Sequence, residues 1–89
     1  MDLGINGKVA LVSAGSKGLG RAIAAGLAAE GAHVAICARG KDALEQAAAE
    51  IAQAGGGEVL PVVADVSQAG DCEQFVNAAR KRWGRIDIL

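Results

Sequence analysis

Short apolar runs alternate with stretches of helical spacing along this chain, and that alternation constrains the fold more than any other feature. Residues 8–13, 33–38 and 58–64 are brief runs rich in Val, Ile, Ala and Leu. Continuous apolar runs of this length read as strands covered on both faces. Between them, residues 21–30, 41–54 and a third segment from Ser67 or Asp71 to about residue 82 carry apolar positions at helical spacing. Leu19, Ile23 and Leu27 mark the expected inner face of the first helix, Leu44, Ala47, Ala48 and Ile51 that of the second, and Phe75, Val76 and Ala79 that of the third. Gly31, the triplet Gly55-Gly56-Gly57 and Gly84 are placed to end these helices. Ser67 or Asp71 is the expected cap of the third helix. Residues 86–89 open a fourth apolar run. Pro61 lacks a backbone donor, so the third strand is expected at a sheet edge.

Strands and helices in strict alternation, with short connections, predict an α/β fold in which a parallel sheet carries helices on both faces. The expectation is a Rossmann-type, doubly wound sheet with the order β-α-β-α-β-α-β and strand order 3-2-1-4, its fourth strand cut short. The chain has 89 residues, enough for one small domain over residues 1–89. Its 9 basic and 10 acidic side chains leave a formal net charge of −1, which argues against a nucleic-acid binder and against a polybasic membrane anchor. No apolar stretch approaches the roughly 20 residues of a membrane span. The N-terminal segment lacks the pattern of a signal peptide. Two cysteines, Cys37 and Cys72, suggest neither a disulfide framework nor a metal site, so a reducing cytoplasm is expected.

The segment Gly15-Ser16-Lys17-Gly18-Leu19-Gly20 lies between the first strand and the first helix. A glycine triplet alone is weak evidence, and a plain strand-to-helix turn uses glycine too. One that leaves a strand and opens a helix has a mechanism: free N–H groups and the helix dipole hold a pyrophosphate, and glycines let the backbone approach it. A nucleotide-triphosphate loop shares the Gly15–Gly20 separation but is disfavoured, because Arg21-Ala22 stands where Lys-Ser/Thr is required and Ala22 has no hydroxyl for magnesium.

At these residues the sequence resembles the short-chain dehydrogenase/reductase family, along its whole length. The run from Val12 to Ala24 is similar to the family's TGxxxGxG segment, Asp65-Val66 to its Asp-Val/Leu pair, and Gly84 to Leu89 to the approach to its fourth strand. The finer likeness is to the 3-oxoacyl-carrier-protein-reductase-like branch. Ser13 replaces the usual Thr and keeps its hydroxyl, while Ala14 stands where the first glycine is usual. The resemblance implies an oxidoreductase that moves hydride between a nicotinamide and a carbonyl or alcohol substrate. It implies cofactor contacts from Ser13, Gly15, Ser16, Lys17, Gly18, Leu19, Gly20, Arg39, Asp65 and Val66. In the family, the carboxylate at Asp65 accepts from the adenine amino group and Val66 contributes a backbone contact. The family's Asn-Asn-Ala-Gly segment, catalytic Ser and Tyr-xxx-Lys motif would follow Leu89. No tyrosine occurs in this chain, so it reads as an N-terminal fragment without catalytic residues, inactive alone, whose full-length parent is a homo-oligomer.

The cofactor choice rests on the end of the second strand. An acid there would bond the ribose hydroxyls and repel a 2′-phosphate. Ala38 takes that place and Arg39 follows, offering a planar fork for phosphate oxygens. Lys17 adds a second positive charge. A charge-assisted bond contributes roughly 1.5–3 kcal/mol, about ten- to a hundredfold in preference, so NADP is expected over NAD. The bland readings are a solvated loop Arg39, a free Lys17 and an Asp65 that merely caps a turn.

Other features carry less. His33 has no ligand partners at metal spacing and reads as structural. Ser13 and Ser16 have no histidine beside them to make a nucleophile. Cys37 reads as a small buried residue. The cluster Arg80-Lys81-Arg82-Arg85 reads as a solvated helix end that complements the dipole. A flavin site is disfavoured because Phe75 and Trp83 are the only aromatics. The competing function is a stand-alone module that holds a nucleotide, or pairs through its fourth strand, without catalysis.

Overall fold

The computed structural model of the chain describes residues 6–13 and 18–87. Three strands, β1 (Val9–Ser13), β2 (His33–Ala38) and β3 (Val59–Val63), alternate with three helices, α1 (Gly18–Ala29), α2 (Lys41–Ala54) and α3 (Ala69–Trp83). The strands form one parallel sheet in the order β1-β2-β3. Val9 pairs with His33 and Ser13 with Cys37, while Val34 pairs with Val59 and Ala38 with Val63. Among the described residues β3 pairs with β2 alone, so Pro61 sits on an edge strand, where its missing donor breaks no ladder.

Side chains alternate across the sheet and build a core on each face. On one side Val12, Val34 and Ile36 pack with Ala24 and Ala28 of α1 and with Leu44, Ala47, Ala48 and Ile51 of α2. On the other, Leu11, Ala35 and Cys37 pack with Phe75 and Ala79 of α3, flanked by Val76 and Trp83. Helices therefore cover both faces, which is why the strand sequences are apolar throughout rather than alternating. The expected inner faces of α2 and α3 are those observed.

The inner face of α1 differs from expectation. Leu19 is 77% exposed and Ile23 47%, whereas Ala24 and Ala28 are fully buried. Leu27 packs only at the margin of the core. The reason is distance. A Cβ on Gly55 would lie 2.7 Å from the Ala28 carbonyl carbon and oxygen. The Gly56 N–H donates to that same oxygen at 3.0 Å. One on Gly57 would overlap the Ala32 carbonyl oxygen. The end of α2 thus closes directly onto the backbone of α1, and only small residues fit between the elements.

Two further boundaries are corrected. α1 begins at Gly18 rather than at residue 21. Neither Ser67 nor Asp71 caps α3: its N-cap is Gln68, with no side-chain cap bond. The expected strand order 3-2-1-4 shares its first three positions with the observed sheet, but no fourth strand occurs among the described residues. The last described residues, 85–87, reach the start of β1. There the Asp87 N–H donates to the Val9 carbonyl, and the Val9 N–H donates to Asp87 Oδ2, both at 2.9 Å. Arg85 donates to Asp87 Oδ1 at 2.6 Å.

The amino ends of β2 and β3 are tied by His33. Its Nδ1 accepts from the Glu58 N–H at 3.0 Å. The ring stacks on Trp83 with centroids 5.6 Å apart. α3 ends at Gly84, whose φ of 78° lets its N–H return to the Arg80 carbonyl at 2.7 Å. Arg80, Lys81 and Arg82 fill the last turn, as the dipole favours. Arg82 is more than a solvated end, because it forms an ion pair with Glu58. Arg21 of α1 likewise pairs with Glu50 of α2. Both pairs are largely exposed, so each contributes little to stability.

Candidate functional site

Parallel strands end at one edge of the sheet, and in open α/β folds that edge is where ligands bind. Here it gathers Ser13 at the end of β1, Ala38 and Arg39 at the end of β2, and Ala64 and Asp65 just past β3. α1, which starts at Gly18, follows β1 at the same edge, and Gly18 has a φ of 61°. The first turn of α1 holds no acidic residue, so no negative side chain competes for its N–H groups. Around the edge, Leu19 is exposed, as are Val63 at 50% and Val66 at 44%. Gly15, Ser16 and Lys17 lie outside the described residues. Of the ten residues expected at the site, the other seven are on this edge: Ser13, Gly18, Leu19, Gly20, Arg39, Asp65 and Val66.

Asp65 is the most constrained of them. Its Oδ1 accepts from the Ser67 hydroxyl at 2.6 Å and from the Ser67 N–H at 3.0 Å. The Ser67 hydroxyl first, then the Ser67 N–H, hold its carboxyl below the ordinary carboxylate value; burial opposes them, and the Arg39 charge adds a lesser lowering influence. Asp65 is therefore ionised at neutral pH and faces the electrostatic influence of Arg39. Its carbonyl accepts from the Gln68 N–H at 2.9 Å, closing a turn over residues 65–68. Its own N–H donates to Asp71 Oδ2 at 2.8 Å. Cys72 Sγ donates to the Val66 carbonyl at 2.9 Å. The bland reading of Asp65 as a turn residue is thus correct about Oδ1 and silent about Oδ2, which has no partner among the described residues.

Ser67, Asp71 and Cys72 were not expected at the site. A signal for two of them exists in the sequence. Aspartate followed by serine two residues on is an Asx-turn pattern, and an acid three residues after Gln68 is capping-box spacing. Nothing marks Cys72. Among the described residues no cluster of His, Cys, Asp and Glu could hold a metal ion. No described helix is long and apolar enough to cross a membrane.

A family model described as short chain dehydrogenase matches residues 8–89. The chain is 44% identical over 85 residues to an uncharacterized oxidoreductase of Methylorubrum extorquens, covering 96% of this chain and 34% of that one. It is 43% identical over 81 residues to levodione reductase of Leifsonia aquatica, covering 90% of this chain and 30% of that protein. In three dimensions it is similar to L-sorbose reductase of Gluconobacter frateurii, solved with NADPH and L-sorbose. That match has a TM-score of 0.92 and 40% identity, and covers 99% of this chain and 34% of that one. The chain thus spans about a third of the length of these relatives.

Proposed function

The chain belongs to the short chain dehydrogenase family, and from that premise we propose that residues 1–89 form the dinucleotide-binding part of an oxidoreductase that uses NADP(H). The observation that carries this reading is the placement of Arg39 and Asp65 just past the carboxyl ends of adjacent strands, beside a helix start free of acidic residues. These groups suit the cofactor's parts. Negative pyrophosphate complements the N-terminus of α1, reached over Ser13, Gly15, Ser16, Lys17, Gly18, Leu19 and Gly20. The Arg39 guanidinium, with Lys17, complements a 2′-phosphate. The Asp65 carboxylate accepts from the adenine amino group, and the Val66 N–H, without a partner among the described residues, donates to the ring. The similar L-sorbose reductase was solved with NADPH, which supports the choice.

When bound, the nicotinamide supplies or accepts hydride from a carbonyl or alcohol carbon. The residues in hand contribute affinity and orientation. Proton transfer in such a reductase needs a donor, and the 89 residues hold no tyrosine. We assign the chemistry to residues outside this set, in a cytoplasmic homo-oligomer whose sheet continues with a fourth strand beside β1. Calorimetric titration with NADPH and NADH tests the cofactor assignment. NADPH is expected to bind about ten- to a hundredfold more tightly, a difference removed by Arg39→Ala. Equal affinity in the unaltered chain, or tighter NADH binding, refutes it.

A further inference from the structure

We propose that Asp71 is a positioning residue for adenine recognition: it locks the backbone of Asp65 so that one carboxylate oxygen is presented to the base. The inference rests on the reading of Asp65 as the adenine acceptor. Asp71 is the third residue of α3, after the Gln68 N-cap. An acid at that position ordinarily reaches back to the N-cap N–H. Here the Gln68 N–H is already taken by the Asp65 carbonyl at 2.9 Å, and Asp71 Oδ2 reaches past it to the Asp65 N–H at 2.8 Å. The Gln68 carbonyl meanwhile accepts from the N–H groups of Asp71 and Cys72, both at 3.1 Å.

The consequence is a nearly complete constraint on one residue. The Asp65 N–H is held by Asp71, its carbonyl by Gln68 and its Oδ1 by Ser67, twice. Among the described residues Oδ2 has no partner, and it is left to accept from a ligand. The next residue is held too, because Cys72, beside Asp71 on α3, donates to the Val66 carbonyl. The turn over residues 65–68 is therefore fixed by the first turn of α3, a helix that packs on the sheet through Phe75 and Ala79. A hydrogen bond discriminates between bases more strongly when its acceptor is held in place before the ligand arrives, because no ordering cost is then set against it. Ser67 fixes the rotation of the carboxylate, and Asp71 fixes the backbone that carries it.

The test compares two ligands that differ in one donor. 2′,5′-ADP carries the 6-amino group, and its inosine counterpart has a carbonyl there and cannot donate to a carboxylate. Calorimetric affinities are measured for the unaltered chain and for the variants Asp71→Ala, Asp71→Asn, Asp71→Glu and Asp65→Ala. The unaltered chain is expected to prefer the adenine ligand by about tenfold, the scale of one bond to a charged acceptor. Asp71→Ala is expected to bring the ratio close to one, and Asp71→Asn to restore it, because a side-chain carbonyl still accepts from the Asp65 N–H. A purely structural role would weaken both ligands alike and leave the ratio intact. Asp71→Glu keeps the charge at the helix start and displaces the acceptor by one methylene. It is expected to lose the preference, and it decides the matter if the alanine variant does not fold. A preference abolished by Asp65→Ala but retained in Asp71→Ala or Asp71→Glu overturns the role of Asp71 alone. No preference in the unaltered chain, or one that survives Asp65→Ala, overturns the reading of Asp65 and this proposal with it.

Discussion

The same substitution, glycine to alanine, is expected to have opposite effects at two positions on either side of the α1–α2 contact. Gly26 is an exposed residue within α1 with nothing within 4 Å of an added Cβ. Alanine there restricts the unfolded chain and suits the helix, so it stabilises by about 0.5–1 kcal/mol. Gly55 faces the backbone of α1, with an added Cβ 2.7 Å from the Ala28 carbonyl carbon and oxygen and 2.8 Å from the Ala28 Cβ. Backbone cannot rotate out of the way, so the cost is that of overpacking, about 1–3 kcal/mol. Moving the segment apart also stretches the Gly56 N–H bond to Ala28, which contributes about 0.5–1.5 kcal/mol. After the gain from a stiffer unfolded chain, Gly55→Ala loses roughly 0.5–4 kcal/mol. A domain of this size has only about 4–13 kcal/mol of stability, at roughly 0.05–0.15 kcal/mol per residue. With about 4–8 °C of melting temperature per kcal/mol, Gly26→Ala should raise Tm by roughly 2–8 °C and Gly55→Ala lower it by at least about 2 °C. Thermal melts followed by far-ultraviolet circular dichroism give both values. A Gly55→Ala protein as stable as the unaltered chain would refute the close-contact account of why α1 presents alanines inward.

Three other outcomes are expected. Leu44→Ala, which empties a fully buried site under α2, should cost about 2–5 kcal/mol in urea titration, whereas Leu19→Ser at a 77% exposed site should stay within about 0.5 kcal/mol; a large loss at Leu19 contradicts the observed helix face. His33→Phe keeps a ring against Trp83 but orphans the Glu58 N–H, and should cost about 1–3 kcal/mol, read from urea midpoints by Trp83 fluorescence; an unchanged midpoint denies that bond a role. The Asp65 and Asp87 carboxyls are both held below the ordinary value of 3.8, Asp65 chiefly by the Ser67 hydroxyl and Asp87 chiefly by Arg85 and then the Val9 N–H. A depressed folded value means their stabilisation is complete above 3.8 and lost as pH falls through the folded values. The stability gap between the unaltered chain and Asp87→Asn should therefore be widest near neutral pH and narrow below 3.8; a gap that widens in acid reverses the sign of the argument.

The covered α/β architecture was legible because it depends on composition along the chain. Runs such as Val34 to Cys37 are apolar at every position, and only a strand with helices on both faces can bury such a run. The inner faces of α2 and α3, the edge position of Pro61 and the helix stop at Gly84 follow from spacing and from the backbone freedom of single residues. The edge that gathers Ser13, Arg39 and Asp65 follows from parallel pairing once the strands are placed. What sequence could not supply was how closely the elements approach. The inner face of α1 went to Ala24 and Ala28 over Leu19 and Ile23, and at Ala28 the end of α2 closes so near that Gly55 leaves no room for a further methyl group. Asp71 has the spacing of a helix cap, but the competition for the Gln68 N–H is settled by the turn before it, and so its carboxylate holds Asp65 instead. Pattern along one chain reports which side chains prefer to be buried or to pair. Which partner each obtains depends on distances between segments far apart in sequence, and only the packed structure sets those.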